Sequence, residues 1–120
     1  DITAQTGIKS LDVTIDCDNL DARELGTMGI PARFDLCNIE GFEDTTGTMH
    51  PAEDVREKIS ALGFPIEDAV KDKSSIRLKI DKMFTRLLTG FPGNNNFILT
   101  VTENNGLSTT KTMKYYVPAN

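Results

Sequence analysis

The C-terminal part of the chain contains two runs of alternating apolar and polar residues that are separated by a turn sequence. In the first run, Phe97, Leu99 and Val101 fall on one side of the chain. The second run, residues 107–117, continues the same period of two, which is the period of a β-strand. The Asn-Asn-Gly sequence at 104–106 is typical of a hairpin turn, because Asn and Gly tolerate positive φ angles. The pattern therefore predicts a long β-hairpin that closes the chain.

Shorter strands are predicted upstream by the same alternation. They cover residues 11–17, 32–37 and 75–80. Short helices are predicted between them, one capped by Asp21, one that begins at Pro51 and stops at Gly63, and one capped by Asp81. Five strands with little room for crossover connections favour antiparallel pairing. We expect one mainly β domain over residues 1–120, a β-sandwich with short helical insertions.

Composition narrows the range of functions. The 120 residues are 38 % hydrophobic and 26 % charged, with a formal net charge of −5 and no Trp. An acidic domain without a cluster of Lys and Arg repels phosphate backbones, which argues against nucleic acid and against docking on an anionic membrane. No apolar run approaches the roughly 18 residues of a membrane helix, so direct membrane insertion is not expected. The chain begins at Asp1 without a signal sequence, which we interpret as the result of processing or trimming, so the missing signal does not indicate a cytoplasmic location.

Four segments carry a resemblance to a known family. The run from Phe97 to Gly106, FILTVTENNG, with the following Thr109–Thr112, resembles the last two strands of PKD-type immunoglobulin-like domains, which end in a pattern close to F-x-L-x-V-T-D-x-x-G. The segments Ile8–Ile15 and Gly29–Leu36, and a strand followed by a short helix over Ile76–Leu88, are similar to small immunoglobulin-like modules in surface lipoproteins of Bacteroidetes.

This resemblance implies an immunoglobulin-like β-sandwich and a non-catalytic structural, spacer or adhesion module of a secreted or surface-attached bacterial protein. It implies an extracellular or outer-membrane location, with neighbouring domains of the same parent chain as partners and with glycan capture or adhesion as the task of the whole protein. The chain departs from antibody domains, because it has no core Trp, no tyrosine corner and no partner for Cys17 in the penultimate strand.

A second hypothesis is a carbohydrate- or protein-binding domain. Tyr116 alternates with Tyr115 and is expected on the outer face of the hairpin, where it packs on a neighbouring domain or stacks on a sugar. Phe42 is a loop aromatic that either plugs the edge of the core or binds a ligand. The amides of Asn94, Asn95 and Asn96 are either ordinary loop residues after Pro92-Gly93 or contacts for carbohydrate hydroxyls. These alternatives remain open from the sequence.

Metal binding and catalysis have weaker signals. Asp16, Asp18 and Asp21 form an acidic cluster at a strand end and are the best candidates for calcium ligands, although they equally suit turns and a helix cap. No other cofactor is indicated. His50 is the only histidine, expected in solvent ahead of a helix, and Glu40, Glu43 and Asp44 are expected in a solvated loop. Because no nucleophile motif accompanies them, we expect no enzyme activity.

The two cysteines allow two alternatives. In a simple antiparallel pair of strands, Cys17 and Cys37 lie farther apart than the roughly 7 Å between Cα atoms that a disulfide allows. A crossover between the strands would bring them together. The first arrangement predicts two partly buried, unreactive thiols.

Overall fold

A computed structural model of the chain describes residues 2–78 and 88–119. Its strands, in chain order, are β1 (Ile2–Thr3), β2 (Ile8–Cys17), β3 (Arg33–Asp35), β4 (Phe42–Glu43), β5 (Met49–His50), β6 (Ser75–Ile76), β7 (Gly93–Glu103) and β8 (Ser108–Val117). Its α-helices are α1 (Ala22–Thr27) and α2 (Ala52–Ala61), and a 3-10 turn covers Glu67–Ala69. The prediction of a mainly β chain is confirmed.

The strands form antiparallel sheets, as the sequence predicts. The main sheet has the order β3-β2-β7-β8, and β1 pairs with β6 and β4 with β5 in two small sheets. In the main sheet, Val13 lies opposite Leu99 of β7 and Phe34 of β3, while Phe97 lies opposite Met113 of β8. This arrangement of several antiparallel sheets is compatible with a β-sandwich.

The predicted C-terminal hairpin is confirmed, but its turn is not the tightest kind. Only Gly106 in the turn has a positive φ, of 92°. The amide of Gly106 donates to the carbonyl oxygen of Glu103 at 2.9 Å, and the amide of Glu103 donates to the carbonyl oxygen of Leu107 at 2.8 Å. A first turn followed by a glycine in the left-handed region is the common solution for a slightly longer hairpin loop. It places Leu107 at the exposed tip.

The core lies on one face of the main sheet. β7 alternates between buried residues on this face, such as Phe97, Leu99 and Val101, and half-buried residues such as Ile98 on the other. Helix α2 contributes Val55 and Ile59, which are both fully buried. The predicted inward parity of these strands is therefore confirmed. Four predicted core residues are only partly buried and pack against the edge of the core: Ile76, Leu78, Met113 and Tyr115.

The two predicted helices that lie within the described residues are confirmed, with small shifts in where they begin and end. Asp21 caps α1, because its Oδ1 accepts from the amide of Glu24 at 2.9 Å. Helix α1 continues through Gly26 to Thr27. Pro51 is the residue before α2 rather than its first helical residue. The Asp81 helix and the end of the 75–80 strand lie outside the described residues.

Two expectations about loops are wrong. The segment Asn94–Asn96 belongs to β7 and pairs with Lys114–Tyr116 of β8, because ladder hydrogen bonds satisfy its backbone where a loop would need water. Phe42 lies in β4, opposite His50 of β5. Within the described part of the chain, we find no helix of the length and apolar character that crossing a membrane requires.

Candidate functional site

The outer face of the hairpin carries the predicted binding residue Tyr116. Its side chain is 65 % exposed, and it lies opposite Asn94 in the ladder. Asn94 is held in place by Asp18, whose Oδ2 accepts from the backbone amide at 2.8 Å and from Nδ2 at 3.3 Å. The structure therefore brings Tyr116, Asn94 and Asp18 to one end of the sheet, where they form an exposed polar and aromatic surface.

The three asparagines do not act as one surface. Asn95 is fully buried on the core face, where its Nδ2 donates to the carbonyl oxygen of Phe91 at 3.3 Å and its Oδ1 has no hydrogen-bond partner among the described residues. Asn96 is half-buried on the outer face, opposite Lys114. Only Asn94 and Asn96 are therefore placed where a ligand on the outer face would meet them.

The three aspartates of the predicted acidic cluster do not act together in the structure. Asp16 is exposed on β2, Asp18 accepts from Asn94, and Asp21 caps α1. Among residues 2–78 and 88–119, no group of three or more His, Cys, Asp or Glu side chains is gathered closely enough to hold a metal ion. Calcium binding by these aspartates remains a prediction for titration.

A second cluster of side chains joins β4 to β5. The Asp44 cluster consists of Phe42, Asp44, Thr46, Thr48 and His50. Oδ1 of Asp44 accepts from the amides of Thr46 (2.9 Å) and Thr48 (3.0 Å) and from Oγ1 of Thr46 (2.5 Å). Its Oδ2 lies 2.8 Å from Nε2 of His50. The His50 ring stacks on Phe42, with 4.8 Å between ring centroids.

Burial in the Asp44 cluster corrects two expectations. The side chain of Asp44 is 2 % exposed and that of His50 is 18 % exposed, so neither residue lies in a solvated loop. The hydrogen bond from the hydroxyl of Thr46 has the largest effect on the pKa of Asp44, and the hydrogen bond from His50 has the next largest. Both hold this pKa well below its usual range, because they stabilise the carboxylate. The buried carboxylate of Asp44 thus stabilises the β4–β5 loop through hydrogen bonds to residues on both sides of the turn.

A close approach of α1 fixes the position of this cluster. A Cβ on Gly26 would lie 2.8 Å from the Cβ of Asp44. Similarly, a Cβ on Gly41 would lie 2.7 Å from the carbonyl oxygen of His50. Both glycines are therefore required for the backbone to come this close, and a side chain at either position would displace the Asp44 cluster.

An acid-stability experiment tests the Asp44 cluster. Because the folded pKa of Asp44 is lowered, its carboxylate contributes stability that is present above the unfolded pKa near 4 and is lost as the pH falls through the folded pKa. We therefore expect the melting temperature of wild type to exceed that of Asp44→Asn at neutral pH, and the difference to narrow between about pH 5 and about pH 2. The measurement is thermal unfolding by circular dichroism. The exposed neighbour Glu43→Gln is the matched control, and a difference between wild type and Asp44→Asn that is constant across this range would contradict the assignment.

A groove of about 440 Å³ runs beside the edge strand β3, with Phe42 on one wall. Its charged side chains are largely engaged with each other or with the backbone. Nη2 of Arg33 lies 3.9 Å from Oδ1 of Asp12, and Oδ1 of Asp35 accepts from the amides of Leu11 (3.0 Å) and Cys37 (2.9 Å). Phe42, one of the predicted binding residues, therefore lies on an open, acidic groove that Phe34 also lines.

The structure decides between the two alternatives for the cysteines. Both are free thiols. The amide of Leu36 donates to the carbonyl oxygen of Leu11 at 2.9 Å, so Cys37 lies beside that part of β2. Cys17 ends the same strand six residues farther on, which is a separation of about 20 Å at about 3.3 Å per residue. The arrangement without a disulfide is the correct one.

We expect both thiols to react slowly. Burial raises the pKa of Cys17 and that of Cys37 to about 11, from 9.0. Because only the thiolate is nucleophilic, alkylation near neutral pH should be on the order of 100-fold slower than that of a free cysteine. The rate of iodoacetamide labelling is measured against pH for Cys17→Ser and Cys37→Ser, each of which leaves one thiol. Labelling of either thiol at the rate of free cysteine would show that it is not shielded as described.

Sequence reasoning missed the Asp44 cluster, although a signal for it exists. The sequence Asp44-Thr45-Thr46-Gly47-Thr48 combines an aspartate with hydroxyl residues ahead of a glycine, which is typical of a side-chain-bonded turn. Gly47 has a φ of 87°, as such a turn requires. The burial of Asp44 depends on its contact with α1, which is distant in sequence, so the residues around Asp44 do not indicate it.

Comparison with known proteins adds no relative. No protein-family model matches the chain, and no curated protein or solved structure matches it.

Proposed function

We propose that this domain is a non-catalytic structural module, an immunoglobulin-like β-sandwich that acts as a spacer or adhesion unit in a secreted or cell-surface bacterial protein. Its partners are the neighbouring domains of the same parent chain. The sequence resemblance supports the class of parent protein and the extracellular or surface-attached location. The structural support comes from the way the chain enters and leaves the main sheet.

The observation that carries the proposal is the direction in which tension would load the sheet. β2 and β8 lie on either side of β7, and both are antiparallel to it. The chain enters β2 at Ile8, opposite Glu103, and leaves β8 at Val117, opposite Gly93 at the other end of β7. Pulling the chain from both sides would therefore slide β2 and β8 along β7 in opposite directions. Such shear loads the hydrogen bonds of a ladder together, whereas peeling breaks them one after another.

Side-chain contacts fasten both ends of this sheet. At one end, Oε1 of the buried Glu103 accepts from the amide of Thr6 at 3.0 Å, and Nδ2 of Asn104 donates to Oδ1 of Asp72 at 3.0 Å. At the other end, Asp18 accepts from Asn94. Because these contacts join residues far apart in sequence, they hold the ladder against fraying where the load would enter and leave.

A second candidate function is a carbohydrate- or protein-binding domain. The observation that favours it is the exposure of Tyr116, which is 65 % exposed beside the polar side chain of Asn94. A large exposed aromatic next to an amide suits the flat face and hydroxyl groups of a sugar, and it equally suits a neighbouring protein. Phe42 on the acidic groove is a second aromatic available for this function.

A glycan array separates the two candidates. The domain is applied with and without calcium, together with Tyr116→Ala and with Leu107→Ala as a control at another exposed apolar residue. The spacer proposal predicts no retained glycan under either condition. Specific retention that Tyr116→Ala abolishes and Leu107→Ala preserves would establish the recognition function instead. A rise in melting temperature with calcium that Asp18→Asn removes would confirm the predicted calcium site.

A further inference from the structure

Strand β8 forms one edge of the main sheet. It pairs with β7 along its whole length, Ser108–Val117. No other strand of the described chain pairs with its opposite side. An open edge of this length presents a row of backbone donors and acceptors, and an extended segment can add to such an edge as a further strand.

The register shows which backbone groups face this edge. The amide of Glu103 donates to the carbonyl oxygen of Leu107, so the ladder begins with a hydrogen-bonded pair at 103 and 107. Hydrogen-bonded and non-bonded pairs alternate in an antiparallel ladder. The even-numbered residues of β8 therefore direct their N–H and C=O groups away from β7. A side-chain contact supports this assignment. Thr100 and Thr110 form a non-bonded pair, in which side chains lie closer together, and their Oγ1 atoms are 3.2 Å apart.

The core-facing side of β8 is incompletely covered. Across the ladder, Phe97, Leu99 and Val101 of β7 are buried. On β8 itself, Met113 and Tyr115 are only half-buried although they share this face. A cleft of about 260 Å³ lies here, between β8 and the small β1–β6 sheet, and is lined by Ile2, Leu78, Leu99, Lys111, Thr112 and Met113. An added strand would direct every second side chain toward this face, beside Met113 and Tyr115.

The charges on β8 indicate what kind of strand fits. Lys111 and Lys114 are the only charged residues of β8, in a chain with a net charge of −5. A second copy of β8 is a poor occupant. When two copies pair about a two-fold axis with their core faces on the same side, each centred register places Lys111 or Lys114 directly or diagonally opposite its own copy, where like charges repel. Lysine on an edge strand is a common device against self-pairing.

We propose that the open edge of β8 binds an extended acidic segment of a partner protein as a fifth, antiparallel strand of the main sheet. Its apolar residues lie opposite Met113 and Tyr115, and its carboxylates lie opposite Lys111 and Lys114. The orientation follows the sheet, in which every pair is antiparallel. The inference goes beyond the spacer role and does not depend on it, since a spacer and a recognition domain would both retain this edge.

A peptide experiment tests the proposal on the whole chain. The peptide Val-Thr-Val-Glu-Val-Thr-Glu-Thr-Val places its glutamates opposite Lys114 and Lys111, and a control peptide carries lysine at those two positions. Binding is followed through backbone amide resonances by NMR. We expect saturable binding of the glutamate peptide, with shifts that follow residues 108–117 and their β7 partners, and binding of the lysine peptide that is at least about tenfold weaker.

Thr112→Pro removes one N–H from the open edge. Because Thr112 lies in a non-bonded pair with Ile98, the substitution leaves the β7 ladder intact, as proline on an edge strand does. We expect Thr112→Pro to weaken binding at least about tenfold. Thr112→Ala keeps this N–H and is expected to weaken binding less than about twofold. If Thr112→Pro does not fold, a glutamate peptide with N-methyl groups on the residues facing β8 replaces it and should not bind.

Three results would overturn the proposal. They are the absence of saturable binding, binding that survives both Thr112→Pro and peptide N-methylation, and equal binding of the glutamate and lysine peptides. A dimer in sedimentation experiments that Thr112→Pro dissociates would assign the edge to a second copy of the chain and would likewise overturn the acidic partner. The glycan array reports sugar retention by the outer face of the sheet, whereas the peptide experiment reports strand addition along the β8 edge, so the spacer proposal and this one can fail separately.

Discussion

Replacing Phe97 by alanine is expected to lower the free energy of unfolding by roughly 3–5 kcal/mol. Phe97 is 1 % exposed and lies in β7, an interior strand of the main sheet, between Ile15 of β2 and Met113 of β8. Removing the ring leaves a cavity that strands fixed by ladder hydrogen bonds on both sides cannot close. The measurement is urea denaturation followed by circular dichroism.

Ile98→Ala is the matched control for this experiment. Ile98 is the next residue of the same strand, but it lies on the outer face and is half-buried. Its truncation is expected to cost about 1 kcal/mol. Equal losses for Phe97→Ala and Ile98→Ala would mean that the two faces of β7 are equally buried, and the assignment of the core to one face would be wrong.

The second large effect is expected at Asp35, where Asp35→Ala should cost roughly 2–4 kcal/mol. Its Oδ1 accepts from the amides of Leu11 and Cys37. The carbonyl oxygen of Leu11 accepts from Leu36, so the amide of Leu11 also faces the β3 side of β2. The carboxylate of Asp35 provides the acceptor for this amide. Without it, two partly or fully buried amides lose their partner, and each carries a desolvation cost.

Asp35→Asn distinguishes this role from one based on charge. The asparagine oxygen can accept from both amides, so Asp35→Asn is expected to cost less than about 1 kcal/mol. Denaturation in urea measures both variants. If Asp35→Asn is as destabilising as Asp35→Ala, the negative charge rather than the two hydrogen bonds stabilises this corner of the sheet.

The parts of the fold that local pattern determines could be predicted. Alternation alone identified β2, β7 and β8, because each has one face on the core and one on solvent. Asp21 predicted the start of α1, since a helix cap is a local hydrogen bond between residues that are three positions apart. The inward parity of Phe97 and the outward parity of Tyr116 also follow from a period of two.

The errors arose where tertiary contacts outweigh local preference. Asn94–Asn96 reads as a loop, yet pairing with β2 and β8 draws it into β7, with Asp18 accepting from Asn94. Asp44 reads as a solvated acid, yet α1 covers it through the close approach of Gly26. The incomplete cover of Met113 on β8 depends on where a separate small sheet lies, and no local pattern reports that.

Single-molecule force spectroscopy tests the spacer proposal most directly. Handles at the two chain ends load β2 and β8 in shear along β7. Handles at Gly90→Cys and Ala119→Cys, in a background that lacks Cys17 and Cys37, pull β7 and β8 apart from the same end and unzip the hairpin. The proposal predicts an unfolding force several-fold higher for the end-to-end geometry than for unzipping. An end-to-end force equal to or below the unzipping force would contradict it.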